Sequence, residues 1–321
     1  MRAGTLQVFG DVLETGWWGP EPSEAPTLVL LHEGLGSVAL WRDVPARLAA
    51  ATGWGVFAYS RFGYGGSDTA PLPRPMTYLH DEALVVLPEV LRAAGIRRAV
   101  LAGHSDGGSI AAIYAGAVNA PTLSTGHPPP PPQPRASQPG TLWTGLARPP
   151  TTLFATAREV PDGRNTASAS HASAGPDGAT TLLGLVTIAA HFVVEDLNID
   201  SIRQIKKDYD TGTLRQRLSR YHRDVDAAFR GWNDAWLDPR FQSFDITGFL
   251  PAIQVPILAL QGADDPYGTD VQLHVLEANV TAPIKIQRIA GARHSPHLEA
   301  TDETLTAIVT FIASLPRDSC M

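Results

Sequence analysis

The ten residues Ala99 to Gly108, AVLAGHSDGG, constrain this chain more than any others. Ala99, Val100, Leu101 and Ala102 form a short apolar run, the pattern of a strand buried on both faces. Gly103-His104-Ser105-Asp106-Gly107 follows, with Gly108 behind it. Then Ile110, Ala111, Ile113, Tyr114 and Ala117 recur at helical spacing. A serine is thereby placed on the turn between a buried strand and a helix, the context that a G-x-S-x-G nucleophile elbow requires. The glycines follow from crowding. A serine at the tip of so sharp a turn takes strained backbone angles, and positions two before and two after it have little room for a side chain. The helix start then aims backbone N–H groups at any negative charge developing beside the hydroxyl. In a chain with 29 glycines the motif also arises by chance, and the strand–turn–helix context is what separates the two cases.

Other strand ends carry polar clusters. Thr27 to Leu31 is a continuous apolar run that leads into His32-Glu33-Gly34-Leu35-Gly36-Ser37. Such a Gly-rich loop can hold an anion on backbone N–H groups. It has neither the Walker lysine nor the spaced glycines of a dinucleotide site, so an oxyanion loop is the better reading. Val56 to Tyr59 leads into Ser60-Arg61-Phe62-Gly63-Tyr64-Gly65-Gly66-Ser67, where Arg61 is either an anion binder or, the preferred reading, a tie between loops. Pro256 to Leu260 leads into Gly262-Ala263-Asp264-Asp265, and Ile284 to Ile289 into Gly291-Ala292-Arg293-His294.

The opening strands are expected at Thr5–Phe9 and Val12–Trp18, and helices at 41–51, 78–94, 271–278 and 303–315. Strands alternating with helices indicate a mostly parallel central sheet with helices on both faces, an α/β fold. Between Leu182–Ala190, which resumes the sheet, and the strand at 256, the chain from Ile199 to Leu250 reads as amphipathic helices with aromatic faces. Lying between late strands, these helices read as a cap over the strand ends, and Phe192, Phe229, Trp232 and Trp236 are candidates to face a substrate. The organisation expected is a core of 1–120, 180–196 and 250–317, a cap of 197–249, and an insert of 121–179. That insert holds His127 and five consecutive prolines and is otherwise rich in Ser, Thr, Gly and Pro. It buries too little apolar surface to offset its ordering entropy, so it reads as disordered, leaving the sheet on the side away from Ser105.

Composition narrows the function. A formal charge of −7 over 321 residues argues against nucleic acid as a partner. No apolar run is long enough to span a membrane, and the first sixteen residues lack a signal-peptide apolar region. The single cysteine, Cys320, allows neither an internal disulfide nor a Cys-based metal site. His32, His80, His104, His191, His222 and His274 show no zincin-type pairing, so no metal and no cofactor is expected. A cytoplasmic protein acting on a small molecule fits best.

A serine hydroxyl becomes a nucleophile when an imidazole takes its proton and a carboxylate fixes the imidazole's tautomer. In an open parallel sheet such groups gather outside the carboxyl ends of the strands. Ser105, Asp265 and His294 follow three buried strands in that chain order. Asp264, Glu195 and Asp196 are rival acids, and His297 is a rival base. With its oxyanion loop His32–Ser37, the loop Arg61-Phe62-Gly63-Tyr64-Gly65, the elbow Gly103–Gly107 and the acid turn Gly262–Asp265, the chain resembles the α/β-hydrolase-fold family, of the capped serine-hydrolase kind. The resemblance implies Ser105 as nucleophile, His294 as base and Asp265 as orienting acid. It implies an oxyanion hole from the N–H groups of Gly34 and Asp106, with Leu35 as the alternative to Gly34; Leu35 is also a candidate pocket residue. Glu33 and Arg293 stand where the family usually has glycine, and the proline-rich insert is foreign to the pattern. The expected reaction is hydrolysis of a carboxylic ester or thioester of a small hydrophobic substrate through an acyl-enzyme. Carbon–carbon bond hydrolysis or elimination on the same fold, and a ligand-binding receptor of low turnover, are the alternatives. Serine at the elbow, rather than aspartate, argues against epoxide hydrolases and dehalogenases.

Overall fold

Alternation within single strands sets up the layers. In the strand Thr27–Leu31 every residue is buried, yet Val29 and Leu31 join one apolar cluster and Leu28 and Leu30 another, on the opposite face. A computed structural model describes residues 1–118 and 179–316. Residues 121–178 of the predicted insert, and Cys320, lie outside the described residues.

The strands are β1 (Arg2–Val8), β2 (Asp11–Trp18), β3 (Thr27–Leu31), β4 (Gly55–Tyr59), β5 (Arg98–His104), β6 (Thr181–Ile188), β7 (Ile257–Gly262) and β8 (Ile284–Ile289). They form one sheet in the order β1-β2-β4-β3-β5-β6-β7-β8, in which β2 runs antiparallel to both its neighbours and all other pairs are parallel. The helices are α1 (Val44–Thr52), α2 (Tyr78–Asp81), α3 (Leu87–Ala93), α4 (Asp106–Ala117), α5 (Asp196–Thr211), α6 (Leu214–Leu218), α7 (Val225–Leu237), α8 (Asp270–Asn279), α9 (Pro296–Glu299) and α10 (Thr301–Ser314). Leu48 of α1 and Ile308, Phe311 and Ile312 of α10 pack with Leu28 and Leu30. Leu79 of α2, Leu87 and Leu91 of α3, and Ile110 and Ile113 of α4 pack with Val29 and Leu31. Burying one such leucine contributes about 1.5–3 kcal/mol.

Three boundaries differ from the sequence expectation for local reasons. Phe9 is in the β1–β2 turn and not in the strand, because Phe9 (φ 54°) and Gly10 (φ 86°) both take the positive φ of a two-residue hairpin turn. The helix expected at 78–94 contains a wide π-turn at Glu82–Val86, just ahead of Pro88, which lacks the N–H that would bond residue 84. The helix expected at 41–51 is a short 3-10 turn, Val38–Trp41, followed by α1, whose first turn holds Pro45.

The helices α5 to α7 lie between β6 and β7 in the chain, where the sequence places a cap. A reciprocal capping box starts α5, in which Glu195 and Asn198 exchange side-chain-to-backbone bonds. Asp224 caps α7 by accepting from the Ala227 N–H. Val225, Phe229, Trp232 and Trp236 fall three or four apart along α7 and are buried. Among the described residues no helix is long and apolar enough to cross a membrane.

Candidate active site

Register brings the relevant loops together before any side chain is considered. Leu31 pairs with Gly103, His104 with Ile188, Ile188 with Leu260, and Gly262 with Ile289. The loops after β3, β5, β6, β7 and β8 therefore leave the sheet along one edge.

At the centre of that edge Ser105 has φ 52° and ψ −120°, in the left-handed region that a serine rarely occupies. Its N–H bonds the Ile188 carbonyl at 2.8 Å, and its own carbonyl accepts from Gly108 and Ser109 as α4 begins. The flanking glycines are steric necessities. A methyl group on Gly103 would fall 2.1 Å from the Gly107 carbonyl oxygen, and one on Gly107 would fall 2.0 Å from that of Leu31. Both obstacles are backbone and cannot swing aside. Gly107→Ala is therefore expected to cost about 3 kcal/mol in a urea or guanidinium titration. An unchanged midpoint would show that α4 can slide away from β3.

Asp265 and His294 form the pair predicted for acid and base. Asp265 accepts from His294 Nδ1 through both carboxylate oxygens, at 2.9 and 3.0 Å. That bond puts the proton on Nδ1 and leaves Nε2 as the basic nitrogen. Asp265 is itself held by Gln261 Nε2 at 2.6 Å and by the Tyr267 N–H at 2.8 Å. Burial pushes its carboxyl up, but the bond to His294 and the imidazole's charge outweigh that and hold it below the usual range. Gly262 lets the two loops meet, since a methyl group there would fall 1.9 Å from the Arg293 carbonyl oxygen. The Tyr267 ring lies 4.5 Å from that of His294.

The rivals are accounted for elsewhere. Asp264 is exposed; Glu195 bonds Thr269 and Gln272; Asp196 opens α5. His297 is buried beside Trp41, and its Nδ1 has no hydrogen-bond partner among the described residues.

His294 sits next to the elbow. Its carbonyl oxygen is 2.8 Å from Nε2 of His104, the residue before Ser105, and the two rings are 5.1 Å apart. No hydrogen bond joins the Ser105 hydroxyl to His294 among the described residues. Bonds of this kind often close only in the substrate complex.

The loop after β3 is a turn closed by Gly36 N–H to Glu33 carbonyl at 3.1 Å. Gly34 N–H has no acceptor among the described residues. Asp106 is the first residue of α4, so its N–H has no partner within the helix. Arg61 acts as a tie: buried, it donates to the Glu33 carbonyl at 2.8 Å, its N–H bonds His32 Nε2 at 3.0 Å, and its guanidinium is 3.9 Å from Asp106. His32 donates from Nδ1 to the Glu33 carbonyl at 2.7 Å. The Asp106 carboxylate points into the core, accepting from Tyr78 at 2.8 Å and Trp236 at 3.2 Å.

The aromatic candidates divide. Trp232 packs on the loop after β3, where a methyl group on Gly34 would fall 2.1 Å from its Nε1. Trp236 reaches Asp106, as above. Phe229 stacks on Tyr209, ring centres 3.6 Å apart, inside the helical segment. Phe192 is buried, with its N–H on Gln272 Oε1 at 2.7 Å. Leu35 is half-buried, and its carbonyl accepts from His222 Nε2 at 3.0 Å. His222 Nδ1 also accepts from Gly65 N–H, so this one ring fastens the helical segment to two core loops. His222, Glu33 and His104 were not singled out by sequence reasoning for any role in the site. Glu33 in place of glycine was the signal for the last two.

A strained serine at a strand–helix turn, a carboxylate–imidazole pair on the same edge and a 1-2-4-3-5-6-7-8 sheet define a class of protein. Residues 26–301 match the model of the α/β-hydrolase fold family, and the chain belongs to it. A proline iminopeptidase from Lactobacillus helveticus is 35% identical over 94 residues, which is 29% of this chain and 32% of that protein. The chain thus matches about a third of the length of that curated relative. Among solved structures, a proline iminopeptidase from Mycobacterium smegmatis superposes with a TM-score of 0.63 at 15% identity, covering 97% of this chain and 98% of that one. An enol-lactonase from Burkholderia xenovorans gives 0.62 at 15% over 97% and 100%. An esterase from a Rhodococcus species gives 0.59 at 19% over 98% and 99%.

Proposed function

We propose that this protein is a metal-free serine hydrolase acting on a carboxylic ester or thioester of a small hydrophobic molecule, in the cytoplasm. The observation that carries the reading is the strained Ser105 on the same strand edge as a His294 ring held by Asp265. His294 Nε2 takes the Ser105 proton as the oxygen attacks the carbonyl. The N–H groups of Gly34 and Asp106 hold the oxyanion, and removing one such donor typically costs about 3 kcal/mol of transition-state stabilisation. The leaving group departs with the proton from His294. Water, deprotonated by the same nitrogen, then cleaves the acyl-enzyme. The indole of Trp232 lies over Gly34 and favours a small acyl group. The esterase and the lactonase of the same fold agree with ester chemistry.

The proline iminopeptidase match favours a second reading, cleavage of an N-terminal proline from a peptide. A fluorophosphonate probe is expected to label the protein at Ser105, with labelling lost in Ser105→Ala and His294→Ala. An unlabelled wild-type protein would defeat both readings. Turnover of esters, thioesters, lactones and a prolyl anilide then separates them, and hydrolysis of the anilide alone would replace the ester reading.

A further inference from the structure

The histidine beside the nucleophile has an unusual hydrogen-bond problem. Both ring nitrogens of His104 face acceptors. Nε2 is 2.8 Å from the His294 carbonyl oxygen, which can only accept, and Nδ1 is 3.4 Å from Glu33 Oε2. The ring is buried, while the Glu33 side chain is 28% exposed. A neutral imidazole has one donor and one acceptor and cannot satisfy two acceptors. His32, one strand away, shows the ordinary arrangement: one nitrogen donates to the Glu33 carbonyl and the other accepts from the Arg61 N–H.

We propose that Glu33 and His104 share one bound proton as a carboxylate–imidazolium pair, which positions the His294 loop against the nucleophile. Glu33 is the positioning residue. Its carboxylate holds the extra proton on Nδ1, and His104 spends its second N–H on the His294 carbonyl. The loop after β3, the end of β5 and the loop after β8 are thereby linked through one ring. Glu33 is folded back for this contact, since a methyl group on Gly36 would fall 2.4 Å from its Oε2.

The other titratable groups around the ring come from several elements. His297 packs edge-on at 4.6 Å and His294 at 5.1 Å. His191 lies beyond His294 at the end of β6, with its ring 5.8 Å from that of His294, and Asp265 holds His294 from the β7 side. Arg42 faces His297 from the loop before α1. Burial raises the Glu33 carboxyl, but the bond and charge of His104 and the charge of His32 bring it well below the usual carboxylate range.

The test has two arms, and only the activity arm rests on the serine-hydrolase reading. In the first, the full chain is labelled with 15N-histidine and its ring nitrogens are observed by NMR at pH 8. His104, assigned by its loss in His104→Gln, is expected to carry protons on both nitrogens. In Glu33→Gln it is expected to become neutral with the proton on Nε2. Should His104→Gln fail to fold, the Glu33→Gln spectrum identifies the ring as the one that loses a proton. A His104 that is neutral in the wild-type protein at pH 8 overturns the proposal. In the second arm, Glu33→Ala is expected to lower kcat about 10- to 100-fold with little change in KM, the cost of a misplaced base. Glu33→Gln, whose amide can donate to Nδ1 of a neutral His104, is expected to recover most of the loss. Wild-type kcat in Glu33→Ala, or equal losses in the two variants, would also overturn the proposal. Absent fluorophosphonate labelling would sink the hydrolase reading and leave the NMR result standing.

Discussion

Replacing Ser105 with alanine will lower turnover of the best substrate about 10,000-fold or more, and His294→Ala will lower it to a similar extent. The loss corresponds to about 5 kcal/mol of transition-state stabilisation. The two effects will not add. A base without its nucleophile has no proton to take, and a serine without its base is protonated at neutral pH, so the double variant should be about as slow as either single one. Asp265→Asn probes the pair from the other end. The carboxylate bonds Nδ1 through both oxygens, at 2.9 and 3.0 Å, and so fixes the tautomer that leaves Nε2 basic. An asparagine amide can donate to Nδ1 and stabilise the other tautomer, and the expected loss is again about 10,000-fold. The Ser105 hydroxyl is not bonded to His294 in the resting arrangement, so structural damage in Ser105→Ala should be small. Thermal melting within a few degrees of wild type is the accompanying control. Steady-state kinetics would defeat the assignment if Ser105→Ala kept a tenth of the activity, or if the two single losses multiplied in the double variant.

These groups were legible in the sequence because each depends on its own neighbourhood. Gly103 and Gly107 are demanded by backbone atoms within a few residues of the turn or on the adjacent strand, so the motif carries its own steric reason. Asp265 and His294 each follow a buried strand, and parallel strands of one sheet bring their carboxyl ends to one edge whatever the intervening chain does. The contacts that were not legible depend on registration between distant segments. Glu33 meets His104 because Leu31 pairs with Gly103. Trp236 reaches Asp106, 130 residues away, only because α7 lies over the elbow. Periodicity marks Phe229, Trp232 and Trp236 as one apolar face but does not say that Phe229 stacks within the helical segment while Trp232 lies on the loop after β3. The turn at Phe9 is not legible for the opposite reason: an apolar, aromatic residue at positive φ runs against its own preference.

The second large effect is on stability, and acid brings it out. Five of the described histidines are pushed toward the neutral form by burial. The His191 imidazole is pushed down to about 3, His32 and His297 lie well below their ordinary value, and His80 and His222 are lowered. In the unfolded chain each titrates near 6.5. Below about pH 6.5 the unfolded chain therefore binds protons that the folded chain refuses, and stability falls as pH falls. Each such proton contributes about 1.4 kcal/mol per pH unit. The carboxyls of Asp81, Glu82 and Asp106, which burial pushes up, act in the opposite sense, since folding favours their protonated form and acid relieves their burial. They offset at most three protons against five. With each refused proton worth about 1.4 kcal/mol per pH unit, the histidines that burial lowers make stability fall with acid, against a typical total of roughly 5–15 kcal/mol. Denaturant titrations at half-unit steps from pH 8 to 4.5 should show a steep decline below 6.5. His297→Phe isolates one contributor. The His297 ring packs on Trp41 and His104 and its Nδ1 has no hydrogen-bond partner among the described residues, so phenylalanine replaces a titrating ring with an apolar one of similar shape. Its slope should be shallower than wild type by about 1.4 kcal/mol per pH unit, so that the variant gains on the parent as the solution is acidified. Parallel curves for the two proteins would mean that His297 takes up its proton in the folded chain after all.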